Sequence, residues 1–161
     1  WGLNISMPVW GNDNLLFISS AYSGGSRVLK LAQKDGKTSV QELWFSGRLR
    51  VHHGNAIRIG DYVYGSSGDF GPAFFAAVNV KTGEVVYQDR SFSKTTFVLA
   101  DGKLIMLDED GNLALANVSP EGLKVVSKVS IMKHLAWTVP TLVGTKLYLR
   151  DRRTIAALDL S

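Results

Sequence analysis

Three histidines are the side chains of this sequence best suited to acid–base or metal chemistry. His52 and His53 are adjacent, and His134 lies much further along the chain. Imidazole nitrogens that meet at one place could bind a divalent metal. Neighbouring residues on an extended chain point to opposite sides, so we expect at most one of the pair to face a shared site. The simpler interpretation is that both rings hydrogen-bond the backbone, and the sequence predicts no metal site.

Two charged turns are further candidates. Asp108–Gly111 reads Asp-Glu-Asp-Gly, but its glycine comes too early for an EF-hand calcium loop, and a tight hairpin explains the run more simply. Arg150–Arg153 reads Arg-Asp-Arg-Arg, which could bind an anion or an acidic partner, or pair with the acidic turn at the surface. The chain has no cysteine and no Gly-x-Ser-x-Gly motif, and no motif places a histidine beside a serine. These patterns favour binding over catalysis.

Aromatic, basic and acidic residues are concentrated in segments that read as turns. Phe70, in the long glycine-containing segment 66–75, is suited to anchor a partner, because aromatic residues and arginine are typical of interface cores. Lys94, Lys133 and residues 108–110 lie in the same class of turn. We predict one binding face, formed by Tyr22, His52, His53, Asp69, Phe70, His134, Trp137, Arg150, Arg152 and Arg153.

Composition limits the remaining classes of function. The chain has 161 residues, a formal net charge of +4 and a pI near 9.4. Its basic residues are scattered rather than clustered along one element, which argues against a nucleic-acid partner. No apolar run approaches the roughly 20 residues of a membrane-spanning helix, so no membrane span is expected. The chain begins at Trp1 without a methionine or a recognisable signal peptide, and we therefore expect that an upstream portion has been removed.

An internal repeat positions these residues. Apolar triplets begin at Leu15, Tyr62, Leu104 and Leu147, each after a polar or glycine-containing turn and each before a further apolar run. Four short strands in every 40 to 50 residues, roughly, are the pattern of a β-propeller blade. The sequence thus predicts an all-β chain, a single β-propeller segment of four-stranded antiparallel blades. The predicted blades cover about 3–45, 50–90, 94–130 and 135–160, and the last is incomplete.

The incomplete last repeat leaves two alternatives open. In the first, the chain is a segment of a larger propeller, and its unpaired edge near residues 154–160 would lead to homo-oligomers or to association with the missing part of the propeller. In the second, residues 1–6 pair as the outer strand of the last blade and close the ring.

The repeat resembles that of the pyrroloquinoline-quinone-like, or quinoprotein-type, propellers. Ala76–Gln88 has the family's pattern of an alanine, a glycine and an apolar closing strand, with Asn79 and Tyr87 in place of the commoner Asp and Trp. Residues 110–118 and 154–160 resemble the third strand of the same repeat. WD40 and kelch repeats are disfavoured, because no Trp-Asp pair ends a repeat and a double glycine occurs once.

The resemblance implies two kinds of function. Quinoprotein dehydrogenases bind pyrroloquinoline quinone (PQQ) with Ca²⁺, and Asp69, Asn55 and Arg150 are the candidate ligands here. Other members, such as the propeller lipoprotein of the outer-membrane barrel-assembly machine, bind proteins and carry no cofactor. We expect a non-catalytic scaffold without cofactor that binds a protein or cell-envelope component, in the bacterial periplasm or outside the cell. A PQQ-dependent alcohol or sugar dehydrogenase half and a carbohydrate- or peptide-binding module are the alternatives.

Overall fold

Four consecutive antiparallel β-sheets make up the chain. The computed structural model describes residues 3–161, and these contain no helix, so no helix there could cross a membrane. Three sheets have four strands and the last has three. Within each sheet the strands follow one another in chain order, as in a meander. The prediction of an all-β chain of four-stranded antiparallel sheets, with the last one incomplete, is confirmed.

Each sheet is called a blade and is numbered in chain order. Blade 1 contains β1 (Val9–Trp10), β2 (Leu15–Ser20), β3 (Gly25–Lys34) and β4 (Lys37–Ser46). Blade 2 contains β5 (Val51–Ile59), β6 (Tyr62–Ser67), β7 (Phe74–Asn79) and β8 (Val85–Asp89). Blade 3 contains β9 (Thr95–Ala100), β10 (Lys103–Asp108), β11 (Asn112–Ser119) and β12 (Gly122–Ser130). Blade 4 contains β13 (Thr141–Val143), β14 (Lys146–Arg150) and β15 (Ile155–Asp159).

Turn residues of the repeat set the ends of the first strand in each blade. Asn14, Gly60 and Gly144 precede the second strands and adopt positive φ angles of 60°, 60° and 59°. Glycine and, less readily, asparagine tolerate this left-handed conformation. Pro8 and Pro140 stand directly before β1 and β13, where the missing N–H costs no ladder hydrogen bond.

The central strands bury side chains on both faces. In β10, Leu104 and Met106 belong to the hydrophobic cluster shared with blade 2, whereas Ile105 and Leu107 belong to the cluster shared with blade 4. Successive side chains of a strand point to opposite faces, so a sheet between two neighbours needs an apolar residue at every central position. A third cluster joins blades 1 and 2, which means that each junction between blades has its own core.

Trp44 of β4 links blade 1 to the last turn of blade 2. Its Nε1 donates a hydrogen bond to the carbonyl oxygen of Val80 at 2.8 Å, and its ring lies against Gly83. A Cβ atom at Gly83 would come within 2.7 Å of Trp44 Cδ2, and Gly83 also has a φ of +76°. Both the backbone conformation and the close approach of the indole therefore require glycine here.

The first described residues lie against blade 1. Ser6 Oγ donates to the carbonyl oxygen of Ser19 at 2.5 Å, and Ser20 Oγ donates to that of Leu3 at 2.7 Å. Within the described range, β15 pairs with β14 alone. Residues 3–6 thus do not supply the outer strand of blade 4 that the second alternative required, and Trp1 lies outside the described residues.

Replacing Gly83 with alanine should destabilise the fold more than the same change at a matched turn. Gly36 has a φ of +71° and nothing within 4 Å of its Cβ position, so G36A adds only left-handed strain, about 1 kcal/mol. G83A adds the clash with Trp44, and we expect it to cost about 2–4 kcal/mol in the free energy of unfolding. Chemical denaturation measures both variants, and equal losses would show that the indole contact contributes nothing.

Candidate functional site

A bulge at the start of β5 places two imidazole rings together. Val51 pairs with Ser67 and Ala56 with Gly65, so blade 2 has extra residues between these two pairs on the β5 side. The ring centroids of His52 and His53 are 5.2 Å apart. The expectation that these neighbours point to opposite sides is wrong, because the bulge interrupts the alternation of the strand.

Aromatic rings form a continuous series of contacts from blades 1 and 2 to the loop before β13. Tyr22 Oη lies 2.6 Å from His52 Nε2, and the Tyr22 ring also contacts the ring of Phe70, with centroids 5.4 Å apart. His52 contacts His53, which stacks on Trp137 at 4.7 Å with an interplanar angle of 27°. These five residues, called the aromatic chain below, all belong to the predicted binding face, and the fold brings them together.

The Trp137 end of the aromatic chain is held by charged groups. Trp137 Nε1 donates to Glu109 Oε2 at 2.9 Å, and the guanidinium carbon of Arg152 lies 4.8 Å from the centre of the indole ring. Lys94 Nζ is 3.5 Å from Glu109 Oε1, and His53 Nε2 is 3.9 Å from Glu109 Oε2. One carboxylate therefore connects the indole and a lysine, and it also lies near the imidazole of His53.

Asp69 fixes the Phe70 end of the aromatic chain. Its Oδ2 accepts the backbone N–H of Tyr22 at 2.9 Å and lies 3.3 Å from Arg50 Nη1, while its Oδ1 accepts the N–H of Phe70 at 2.9 Å. Burial acts to raise the pKa of Asp69, but the N–H donors and the charge of Arg50 hold this pKa below its usual value. The ionised carboxylate thus fixes the backbone at both Tyr22 and Phe70.

Burial keeps the two adjacent histidines neutral at physiological pH. The side chain of His53 is 8% exposed, and desolvation, reinforced by His52, lowers its pKa to about 4 although Glu109 opposes the shift. Desolvation also lowers the pKa of His52, and the charge of Lys94 adds to this effect. As neutral rings, both histidines can pack against Tyr22 and Trp137.

The blade 4 loops are organised by Asp151. Its buried carboxylate accepts the N–H groups of Lys133 and His134 on Oδ2, at 3.3 and 3.1 Å, and those of Arg153 and Thr154 on Oδ1, at 2.8 and 2.6 Å. These donors lower the pKa of Asp151, Arg153 most strongly.

Three residues of the predicted face stay apart from the aromatic chain. His134, Arg150 and Arg153 are exposed, and within residues 3–161 none of their side chains has a ring contact or ion pair with its members.

The candidate ligands for Ca²⁺ and PQQ come from three different strands and loops, and two of them already have partners within the protein. The Asn55 side chain is bonded to the backbone of Phe97, with Nδ2 donating to its carbonyl at 2.7 Å and Oδ1 accepting its N–H at 3.0 Å. Asp69 is engaged in blade 2, and Arg150 stands at the end of β14 in blade 4. Across residues 3–161, no three His, Asp or Glu side chains are placed to hold a metal ion.

Sequence reasoning missed Arg50, although the repeat contained a signal for it. Arg50 stands directly before β5, as Lys94 stands directly before β9. Each contacts an acidic residue just after the second strand of its own blade, Asp69 and Glu109 respectively. An ion pair thus occurs at a corresponding place in two consecutive blades, between a basic residue before the first strand and an acidic residue after the second.

Comparison with known proteins identifies the fold. No family model matches the chain, and no curated protein sequence matches it. Among solved structures the chain is similar to BamB from Moraxella catarrhalis, with a TM-score of 0.64 and 20% sequence identity. The similarity covers 94% of this chain and 41% of that one, so the chain spans about two fifths of the length of that structure. This similarity shows that the blades belong to a β-propeller fold.

Acid should destabilise the fold through His53. Its pKa is lower in the folded protein than in the unfolded chain, so the unfolded state binds more protons and stability falls as the pH drops through the interval from 6.5 to about 4. We expect His53 to account for a loss of about 2 kcal/mol in unfolding free energy between pH 7 and about pH 4.5.

Denaturant titrations over this pH range measure the effect. H53Q should show a shallower decline than the wild type, and H134Q, at an exposed histidine, should not. An unchanged slope in H53Q would contradict the assignment.

Proposed function

We propose that the chain is a non-catalytic β-propeller scaffold that binds a protein through the face on which the aromatic chain lies. The observation that carries this proposal is the pair of exposed aromatic residues at the two ends of that chain. Phe70 is 77% exposed and Trp137 is 40% exposed. Exposed aromatic side chains in fixed positions are the usual anchors of protein interfaces.

Both aromatic residues are held before any partner arrives. The backbone of Phe70 is fixed by Asp69, and its ring rests on Tyr22. Trp137 is fixed by its hydrogen bond to Glu109 and by stacking on His53. Side chains that are already ordered lose little conformational entropy on binding, so more of the contact energy is available as affinity.

The bacterial envelope is the proposed location. The repeats resemble those of PQQ-like propellers, a family that includes envelope proteins that bind other proteins, and the fold is similar to that of BamB. The proposed family is that of the PQQ-like propellers. Blade 4 has no fourth strand in the described chain, and we propose that further propeller strands cover this edge in the assembled protein.

Selection from a library of displayed random peptides tests the binding face. We expect selected peptides to bind the wild type and to bind F70A at least about tenfold more weakly, because an interface anchor is lost. The matched control is W10A, which removes an aromatic side chain that is 50% exposed at the end of β1, where it pairs with Leu16 at the opposite end of β2 from Tyr22.

Circular dichroism should show the same strand signal and melting temperature in F70A as in the wild type. Peptides that bind F70A and the wild type equally would contradict the proposed face. Oxidation of an alcohol on addition of PQQ and Ca²⁺ would contradict the non-catalytic assignment.

A further inference from the structure

Blade 4 presents four cationic side chains that no carboxylate neutralises. Lys133, Arg150, Arg152 and Arg153, called the basic rim below, are exposed. No carboxylate of residues 3–161 lies within 4.0 Å of any of their charged groups. Elsewhere the chain pairs several of its cations, as in the ion pair of Arg58 with Asp13 at 2.6 Å. The basic rim is therefore a local excess of unpaired positive charge.

The basic rim is assembled from two segments by the acidic residue inside it. Asp151 is 3% exposed, and its oxygens accept backbone N–H groups on both sides: Lys133 and His134 from one segment, Arg153 and Thr154 from the other. Its carboxylate is thus bonded to peptide groups rather than to the guanidinium groups. The buried acid fixes the positions from which the exposed cations project.

Acidic residues of the neighbouring blade 3 turn are mostly engaged as well. Glu109 holds Trp137 and Lys94. Asp108 is 1% exposed and accepts hydrogen bonds from the side-chain amide of Asn112, at 3.1 Å on Oδ1 and 2.9 Å on Oδ2. Asp110 is the one exposed carboxylate of this turn. The basic rim therefore keeps most of its charge available for a ligand.

A cleft lies beside the basic rim. It has a volume of about 230 Å³, and its walls include Lys133, His134, Asp151 and Thr154. Lys133 brings a positive charge to its wall, and the Asp151 carboxylate in the wall is already bonded to four backbone N–H groups. Arg152, next to Asp151 in the chain, has its guanidinium over the Trp137 ring.

We propose that the basic rim binds the carboxylate side chains of an acidic peptide segment in the protein partner, beside the aromatic anchor Trp137. This inference rests on the proposed function and specifies which side chains of the partner the face would bind. The planar guanidinium groups match carboxylates through paired hydrogen bonds. The guanidinium of Arg152 lies 4.8 Å from the centre of the Trp137 ring, which places a cation and the indole side by side for the same segment of the partner.

Fluorescence anisotropy tests the proposal with a labelled peptide that alternates glutamate and phenylalanine. Its counterpart with glutamine in place of glutamate should bind the wild type about tenfold more weakly. The triple variant R150Q/R152Q/R153Q should bind the acidic peptide about tenfold more weakly than the wild type does. The matched control K30Q/K34Q/K37Q removes the same charge from exposed positions on and beside β3 and β4, and should bind normally.

Salt dependence gives a second measurement that needs no variant. Raising NaCl from about 50 mM to about 500 mM should weaken binding of the acidic peptide more than binding of its glutamine counterpart, because exposed ionic contacts are screened. Equal binding of the two peptides by the wild type would overturn the proposal. Tighter binding to phosphatidylglycerol vesicles or to a single-stranded DNA oligonucleotide than to the acidic peptide would also overturn it.

The two proposals can fail separately. Peptides that depend on Phe70 but show no preference for glutamate would leave the scaffold function intact and remove the basic rim from it. Binding of the acidic peptide that depends on the arginines but is unaffected in F70A would keep the basic rim and contradict the larger face.

Discussion

Packing of each blade against its neighbours is the interaction on which the rest of the structure depends. A four-stranded sheet that carries apolar residues on both faces cannot bury either face by itself. It removes both faces from water only when it packs between two other sheets. In blade 2, Val63 packs toward blade 1 and the adjacent Tyr64 toward blade 3. The packed sheets hold the ends of their strands in fixed positions. The loops that connect those ends are therefore fixed at both of their own ends.

Buried polar groups connect this packing to the binding face. Ser19, Ser66, Asp108 and Asp151 each lie four residues after the start of an apolar triplet, and all four are buried. Ser19 Oγ accepts the N–H of Val51 at 2.9 Å, and Ser66 Oγ accepts that of Thr95 at 3.1 Å, so each of these serines joins its blade to the first strand of the next. Asp108 and Asp151, at the same position of their repeats, accept hydrogen bonds from loop residues instead. Buried polar groups whose hydrogen bonds are all satisfied favour one arrangement of the surrounding chain.

The candidate site depends on both features. The ion pairs Arg50–Asp69 and Lys94–Glu109 stand at corresponding places in blades 2 and 3 and hold the two ends of the aromatic chain. Between them the neutral rings of His52 and His53 fill the space that charged imidazoles could not occupy without a large cost of desolvation. The structure therefore combines a rigid, largely neutral centre with exposed aromatic and cationic groups at its margin, and the proposed partner would contact that margin.

The sequence by itself determined the class of fold and singled out several residues that the fold brings together in the candidate site. Side-chain alternation of period two and the turn residues are local properties, so the triplet at Tyr62 and the turn at Gly60 predicted the strands of blade 2. The sequence also singled out Tyr22, Phe70 and Trp137 as residues that depart from the repeat.

The tertiary structure alone decided how these residues meet. The bulge in β5 turned two adjacent histidines to one side, and contacts between residues far apart in sequence assigned Glu109 to the indole of Trp137. Such contacts depend on how whole blades pack, since a bulge or a loop position is fixed by neighbours that no local pattern of residues specifies.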